Sequence, residues 1–230
     1  MAATAASEGR NSGRMFLSQV EAAAIDASIA RVEARTGVQI TAAVIGKADT
    51  YAELPWIAFA LGVSVAALAS VIADALRPDW ITAQVALLHT VTILAAGGAS
   101  ALAAVFVPAY ARLFLRSALR DVEVRQYAES MFLRRELFKT RNRNGILILI
   151  CKFERKVEIL ADTGFHGRMG EADWDRIIAA TTPLLSEARI ADALDAGLAL
   201  LGQVLAAKGF VGRPGRENEL PDRPIEERGA

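Results

Sequence analysis

Cysteine is almost missing from this chain of 230 residues, with Cys151 as its one example. A single thiol in an apolar run closes no internal disulfide and supplies no multi-cysteine zinc site, and it suits a reducing compartment. Excess charge is missing as well. Lys and Arg total 26 and Asp and Glu total 26, so no net field draws the chain to nucleic acid, and any electrostatic partner must be met by local patches. Met1 to Arg14 are small and polar without an apolar core, which fits neither a cleaved secretory signal nor a folded element, and residues 1–15 are expected to be disordered. The sequence also lacks a glycine-rich phosphate loop, a paired-histidine metal signature and a serine elbow.

What is plentiful is apolar length. Hydrophobic residues make up 53% of the chain and the mean hydropathy is +0.29, too apolar for an ordinary soluble protein. No charge interrupts Leu54 to Ala73. At about 1.5 Å per residue, its core from Trp56 to Ala73 is long enough to cross roughly 30 Å of hydrocarbon. Between Trp80 and Ala111 the only titratable side chains are His89 and Tyr110, and a second span is expected near Ala86 to Val107. Asp74, Arg77, Pro78 and Asp79 lie between them as a short polar turn. The expectation is a transmembrane hairpin over residues 54–111. Ala95-Ala-Gly-Gly-Ala-Ser100 offers a small-residue face for close packing against the first span. His89 is expected to pair with helix backbone or Thr90.

Basic residues set the expected orientation. Lys47 precedes the first span and Arg112, Arg116 and Arg120 follow the second, whereas the turn has Arg77 between two aspartates. The positive-inside rule then places both flanks in the cytoplasm, at an inner (plasma) membrane. The four-residue recurrence of those arginines suits either a helix end meeting anionic headgroups or a solvated helix face.

On either side lie pieces of a soluble fold, residues 16–53 and 112–211. Ser18 and Glu21 have capping-box spacing, Ala22, Ile25, Ile29 and Val32 follow a helical period, and Gly37 stops it. Val38 to Ile45 alternates and is rich in β-branched residues, as a strand is. After the insert, Asp121 to Lys139 reads as a helix with Val124, Ala128, Met131, Phe132 and Phe138 for its buried side. Ile146 to Cys151 is apolar at every position and suits a central strand; Lys156 to Ala161 returns as its antiparallel partner. Glu171 to about Glu187 and Ile190 to Lys208 read as two further helices ended by Gly209. Residues 212–230, rich in Pro, Gly and charge, are expected to be a disordered tail.

Several short motifs in this order carry a likeness: Phe16-Leu-Ser with Glu33-Ala-Arg-Thr-Gly37, Lys139-Thr-Arg-Asn-Arg-Asn-Gly-Ile-Leu-Ile148, Glu158-Ile-Leu-Ala-Asp-Thr-Gly164, Trp174, and Asn218-Glu-Leu-Pro-Asp222. Together they resemble the TPM-domain family, named for a thylakoid-lumen phosphatase-like protein. The resemblance implies an α/β fold with a small mixed β-sheet sandwiched by helices, here interrupted by the hairpin as in a membrane-inserted subgroup. It also implies either a phosphatase-like activity or a part in assembling or repairing membrane complexes, since members of both descriptions occur.

The candidate sites sit in two turns. Arg141, Asn142, Arg143 and Asn144 join a helix to the buried strand, and the two guanidinium forks suit a phosphate or carboxylate. As a plain turn, the same stretch would use Asn144-Gly145 for the left-handed conformation. Asp162 ends the hairpin strand, with His166 beyond it. A carboxylate there suits a hard divalent cation, calcium or magnesium, and the imidazole suits general acid or base work, though Asp-Thr-Gly is also an ordinary turn. Glu171, Asp173 and Asp175 stand in a helix's first turn, where the dipole favours them regardless of any metal. Cys151 reads as a small core residue. With no nucleophile beside a base, the sequence points first to a non-catalytic docking module against the lipid bilayer and another membrane protein, without nucleic acid, and second to a phosphatase or metal-assisted hydrolase at Asp162.

Overall fold

The computed structural model describes residues 16–76, 82–212, 219 and 223–229. The expected polar turn at Arg77, Pro78 and Asp79, the N-terminal residues 1–15 and most of Asn218 to Asp222 lie outside them. The chain divides into two compact units, residues 1–49 with 122–230, and residues 50–121.

The first unit is a mixed α/β sandwich. Helix α1 (Gln19–Thr36) starts at Ser18, whose hydroxyl accepts from the Glu21 N–H while the Glu21 carboxylate accepts from the Ser18 N–H, and it ends at Gly37 in the left-handed region. Both signals were readable, because a cap is local chemistry. Strand β1 (Gln39–Lys47) follows. After the second unit come α5 (Ser117–Arg134), β2 (Gly145–Cys151), β3 (Lys156–Ala161), α6 (Glu171–Ser186), α7 (Ile190–Ala207) and β4 (Ile225–Gly229). The sheet order is β3-β2-β1-β4. β1 runs parallel to both neighbours, with Gln39 opposite Gly145 and Ala43 opposite Ile225, while β3 is antiparallel to β2.

Two apolar layers enclose the sheet. On one face Ile40, Ala42, Val44, Ile146, Ile148 and Ile150 meet Ile25 and Ile29 of α1 and Leu194, Leu198, Leu201 and Leu205 of α7. On the other, Ala43, Ile45, Leu147, Leu149 and Cys151 meet Val124, Ala128 and Met131 of α5. β1 is therefore buried on both faces over Gln39–Ile45, and the alternation read from Val38 to Ile45 understates it. Thr41 is polar yet buried, and the small Ala43 lies in the cluster with α5.

Three expectations change. The tail is not disordered throughout: residues 225–229 form β4, since the free edge of β1 gives an otherwise polar segment backbone partners. The helix predicted to reach Lys139 stops at Arg134, Glu136 takes the left-handed conformation, and Leu137 is the buried residue of the short turn that follows. Arg112, Arg116 and Arg120 do not share one helix, because a 3-10 turn at Arg112–Phe114 and a break at Leu115 and Arg116 precede α5.

The second unit is built on α2 (Glu53–Leu76) and α3 (Ala83–Phe106), followed by the short α4 (Pro108–Ala111). Contacts pair high numbers with low: a Cβ on Gly62 would stand 2.7 Å from the Ala96 carbonyl oxygen and 2.8 Å from Ser100 Cβ, and one on Gly97 would meet Phe59 and Val63. The helices are thus antiparallel and close. Ser100 Oγ donates to the Ala58 carbonyl at 2.7 Å and lies 2.8 Å from the Tyr110 hydroxyl. Asp74, expected in the turn, belongs to α2, and its carboxylate is 3.5 Å from His89 Nδ1. The imidazole's partner is therefore Asp74, while Thr90 bonds its own helix at Ala86. Outward lie Val65, Leu68, Val71, Leu87, Leu88, Val91 and Leu102, all mostly exposed. Among the described residues three helices, α2, α3 and α7, are long and apolar enough to cross a membrane.

Candidate functional site

Both candidate turns come together at one end of the sheet. β1 and β2 begin there and β3 ends there, so Gln39, Gly145 and Ala161 are neighbours by register. The 140–145 turn is fixed from inside. Thr140 Oγ1 accepts from the Asn144 N–H at 3.0 Å, its carbonyl accepts from the Arg143 N–H at 3.0 Å, and Asn144 Nδ2 donates to the Gly37 carbonyl at 2.7 Å. Arg143, not Asn144-Gly145, takes the left-handed conformation, at φ 51. Gly145 is needed for another reason: a Cβ would lie 2.3 Å from the Leu137 carbonyl oxygen.

Asp162 closes the site from the β3 side. Its side chain is buried, and Oδ1 accepts from Arg143 Nε at 3.1 Å, from Arg143 Nη2 at 2.9 Å and from the Thr163 N–H at 2.7 Å. Gly164 donates its N–H to the Arg143 carbonyl at 2.8 Å, and a Cβ on it would stand 2.5 Å from that oxygen and 2.7 Å from the Asn142 carbonyl oxygen. The two turns are clasped backbone to backbone as well as by the ion pair. Arg143 is itself half exposed, with its guanidinium 5.9 Å from the Phe138 ring centre. Asp162 takes the Nε and Nη2 edge, which leaves Nη1 for another acceptor. The carboxylate thus works as the buried counter-ion that holds an arginine at the surface.

The remaining candidates scatter. Arg141 and Asn142 are exposed in the same turn, and the Arg141 N–H donates to the Glu219 carboxylate at 2.9 Å. His166 is exposed, and among the described residues no hydrogen bond or ion pair joins its imidazole to Asp162. Asp173 accepts from the Gly170 N–H at 2.9 Å and from Lys208 Nζ at 2.6 Å. The Lys208 bond first, and the Gly170 bond after it, hold the Asp173 carboxyl below its ordinary range. Among the described residues no group of three or more His, Cys, Asp or Glu could hold a metal ion. Burial, reinforced by the Glu154 charge, pushes the Cys151 thiol well above its ordinary range, so no thiolate forms there. Among the described residues two buried acceptors at this end of the sheet lack partners, Asp162 Oδ2 and Asn144 Oδ1.

Sequence reasoning missed one long-range brace of the site and a second clasp at the far end of β1. Gln39 Oε1 accepts from the Glu219 N–H at 2.7 Å. On β4, Glu227 takes a hydrogen bond from Arg135 at 2.8 Å and one from the Tyr127 hydroxyl at 3.0 Å, with Arg134 at 3.5 Å. The signal was a basic pair, Arg134-Arg135, and an acidic pair, Glu226-Glu227, but nothing local joins them across some ninety residues.

Residues 102–204 match the family described as the TPM domain. No curated protein matches the chain. Among solved structures, the NMR structure of the BA42 protein from the psychrophilic bacteria Bizionia argentinensis sp. nov. has a similar fold, with a TM-score of 0.57, 15% identity, and coverage of 93% of this chain and 97% of that one. At that identity the likeness speaks for the fold alone. The matched stretch, a little under half of the chain, runs from the end of α3 through α5, β2, β3 and α6 into α7, and over it the chain is similar to the TPM domain.

Proposed function

We propose that the protein is a membrane-anchored docking module: α2 and α3 cross the bilayer as a hairpin, and the TPM domain engages another membrane protein in the assembly or repair of a complex. The anchoring half rests on inverted packing. Only 6% of the most apolar stretch of either helix is buried, and the bond from the Ser100 hydroxyl to the Ala58 carbonyl lies between them, the arrangement a bilayer favours. With Lys47 before α2 and the arginines after α3, both ends of the chain lie in the cytoplasm at the inner membrane. Reporters fused at Arg14 and at Lys208 report cytoplasm and one inserted near Asp79 reports the far side. The opposite pattern reverses the assignment.

One observation carries the docking half: the Asp162 carboxylate is spent on Arg143, an exposed cation it presents outward. Such an arginine suits a carboxylate or phosphate on a partner surface. A photo-reactive residue at Asn142 crosslinks to a membrane protein, and Arg141→Glu with Arg143→Gln abolishes the adduct while leaving the fold intact. An adduct that survives the double change ends this reading.

The second reading is a phosphatase or metal-assisted hydrolase, favoured by the two unpartnered acceptors Asp162 Oδ2 and Asn144 Oδ1. The residues fit a calcium or magnesium ion poorly. A hard cation wants six or more oxygen ligands, whereas a guanidinium already occupies Asp162 Oδ1 at 2.9 Å. Asp162→Asn separates the readings. Docking predicts no turnover in either form and a weaker Asn142 crosslink in the variant, because Arg143 loses the charge of its counter-ion, while phosphoester turnover with magnesium, calcium or manganese that vanishes in the variant establishes the hydrolase.

A further inference from the structure

The outer edge of β1 is filled by the chain's own last residues, and the filling is almost wholly polar. Of β4, only Ile225 joins an apolar cluster, packed beside Ala43 and Ile45 on the α5 face. The neighbouring positions carry carboxylates on opposite faces of the sheet. Glu226 accepts the backbone N–H groups of Phe16 and Leu17 beside α1, and Glu227 is held by Arg135, Tyr127 and Arg134 of the α5 face. The edge is also cut for a close backbone: a Cβ on Gly46 would lie 2.6 Å from the Arg228 carbonyl oxygen. The matched family domain ends at residue 204, before β4 begins.

We propose that this edge, from Ala43 to Lys47, is a docking slot for an extended peptide with two adjacent carboxylate residues, and that β4 is a self-ligand that closes it in cis. Strand addition supplies main-chain hydrogen bonds that any sequence can make. Specificity comes from the side chains, since one carboxylate must meet two backbone donors on the α1 face while its neighbour meets two arginines and a phenol on the other. Charge complementarity commits the occupant to an acidic strand. A basic or apolar segment leaves Arg134 and Arg135 without their acceptor and places its own side chains among hydrogen-bond donors. The tether decides between closed and open, because a covalently attached strand competes at a high effective concentration. This slot deepens the docking reading and depends on it for biological purpose, but it lies on β1 and β4, away from the Arg143 turn.

The test uses the full chain in detergent, folded first, with a protease site inserted between Pro214 and Gly215 and cleaved afterwards. The probe is a fluorescent peptide, Pro-Ile-Glu-Glu-Arg-Gly-Ala, the sequence of residues 224–230. After cleavage and dialysis the peptide binds, and uncut protein binds it about tenfold or more weakly because the tethered strand competes. A peptide with Gln at both Glu positions binds roughly tenfold or more weakly, in keeping with the loss of charge-assisted bonds. Equal binding of the two peptides overturns the proposal. So does cut protein that releases its own strand yet takes up no probe. Should cutting unfold the domain, hydrogen exchange in the uncut chain decides: β4 amides exchange well ahead of β2 amides if the strand opens by itself, and in step with them if it does not. Loss of the Asn142 crosslink leaves all these readouts untouched, so failure of the docking reading and failure of the slot are told apart.

Discussion

Helix α7, with 18 residues, and helix α2, with 24, are both strongly apolar, yet one is a core element and the other wears its apolar residues outside. Both are long and apolar enough to cross a bilayer, but 44% of the relevant stretch of α7 is buried against 6% for α2. The difference lies in what each has been given to pack on. α7 offers Leu194, Leu198, Leu201 and Leu205 along one side, and α1 and the sheet supply the matching surface. α2 packs chiefly on α3, through Gly62 and its small neighbours, and leaves Val65, Leu68 and Val71 uncovered. Apolar content states that a helix avoids water; its neighbours determine what replaces the water.

A charge placed in each helix gives the sharpest contrast. Leu201→Asp buries an unpaired carboxylate in the sandwich and costs roughly 4 kcal/mol or more, enough to abolish cooperative unfolding of the α/β unit as followed by circular dichroism. Leu68→Asp leaves that unit's thermal transition unchanged but opposes insertion by about 2.5–3.5 kcal/mol, read as a rise in the carbonate-extractable fraction. If Leu68→Asp melts the sandwich and stays in the membrane, the comparison fails. A smaller effect comes from the inner face of the pair. Gly62→Val forces a side chain against the Ala96 carbonyl and Ser100 and weakens helix pairing by about 1–3 kcal/mol, measured by the loss of a disulfide engineered between the helices.

The smallest effect is expected at Glu227, on the surface of the α/β unit. Burial alone would raise its carboxyl; the bonds from Arg135 and Tyr127, with the charges of Arg134 and Arg135, outweigh it and hold the group below its ordinary 4.5. A depressed carboxyl contributes stability that is fully present above the ordinary value and is lost as pH falls through the folded one. The attachment of β4 therefore loosens below pH 4.5, seen as faster exchange of β4 amides, and the Glu227→Gln variant shows a flatter acid profile.

Legibility followed the range of the interaction. Ser18, Glu21 and Gly37 marked α1 because caps act within a few residues, and Ile146 to Cys151 marked a central strand because every position was apolar. β4 was unreadable, since Ile225-Glu-Glu-Arg-Gly229 has a polar composition that suits a tail and becomes a strand only where β1 leaves an edge. At the site, Asp162 and Arg143 were both singled out by turn chemistry. Their pairing was not, because it depends on β2 and β3 bringing Gly145 beside Ala161. The choice of Arg143 for the left-handed position defeats residue preference, which favours Asn and Gly there. The clasp to Asp162 and the backbone bond to Gly164 hold it in that conformation.

The place of β1 in the sheet has a consequence for biosynthesis. β1 is made early, before either long apolar helix, yet its partner β2 begins at Gly145 and its other partner β4 at Ile225. At about 5–20 residues per second, the strand Gln39–Lys47 emerges from the ribosome and waits on the order of five to twenty seconds for its first neighbour, and about twice as long for its second. Throughout that interval a strand that is buried from Gln39 to Ile45 in the folded protein has two open edges while the ribosome is delivering the α2–α3 pair. A nascent chain in this state invites capture by a chaperone, and slowing translation beyond residue 151 should prolong its exposure.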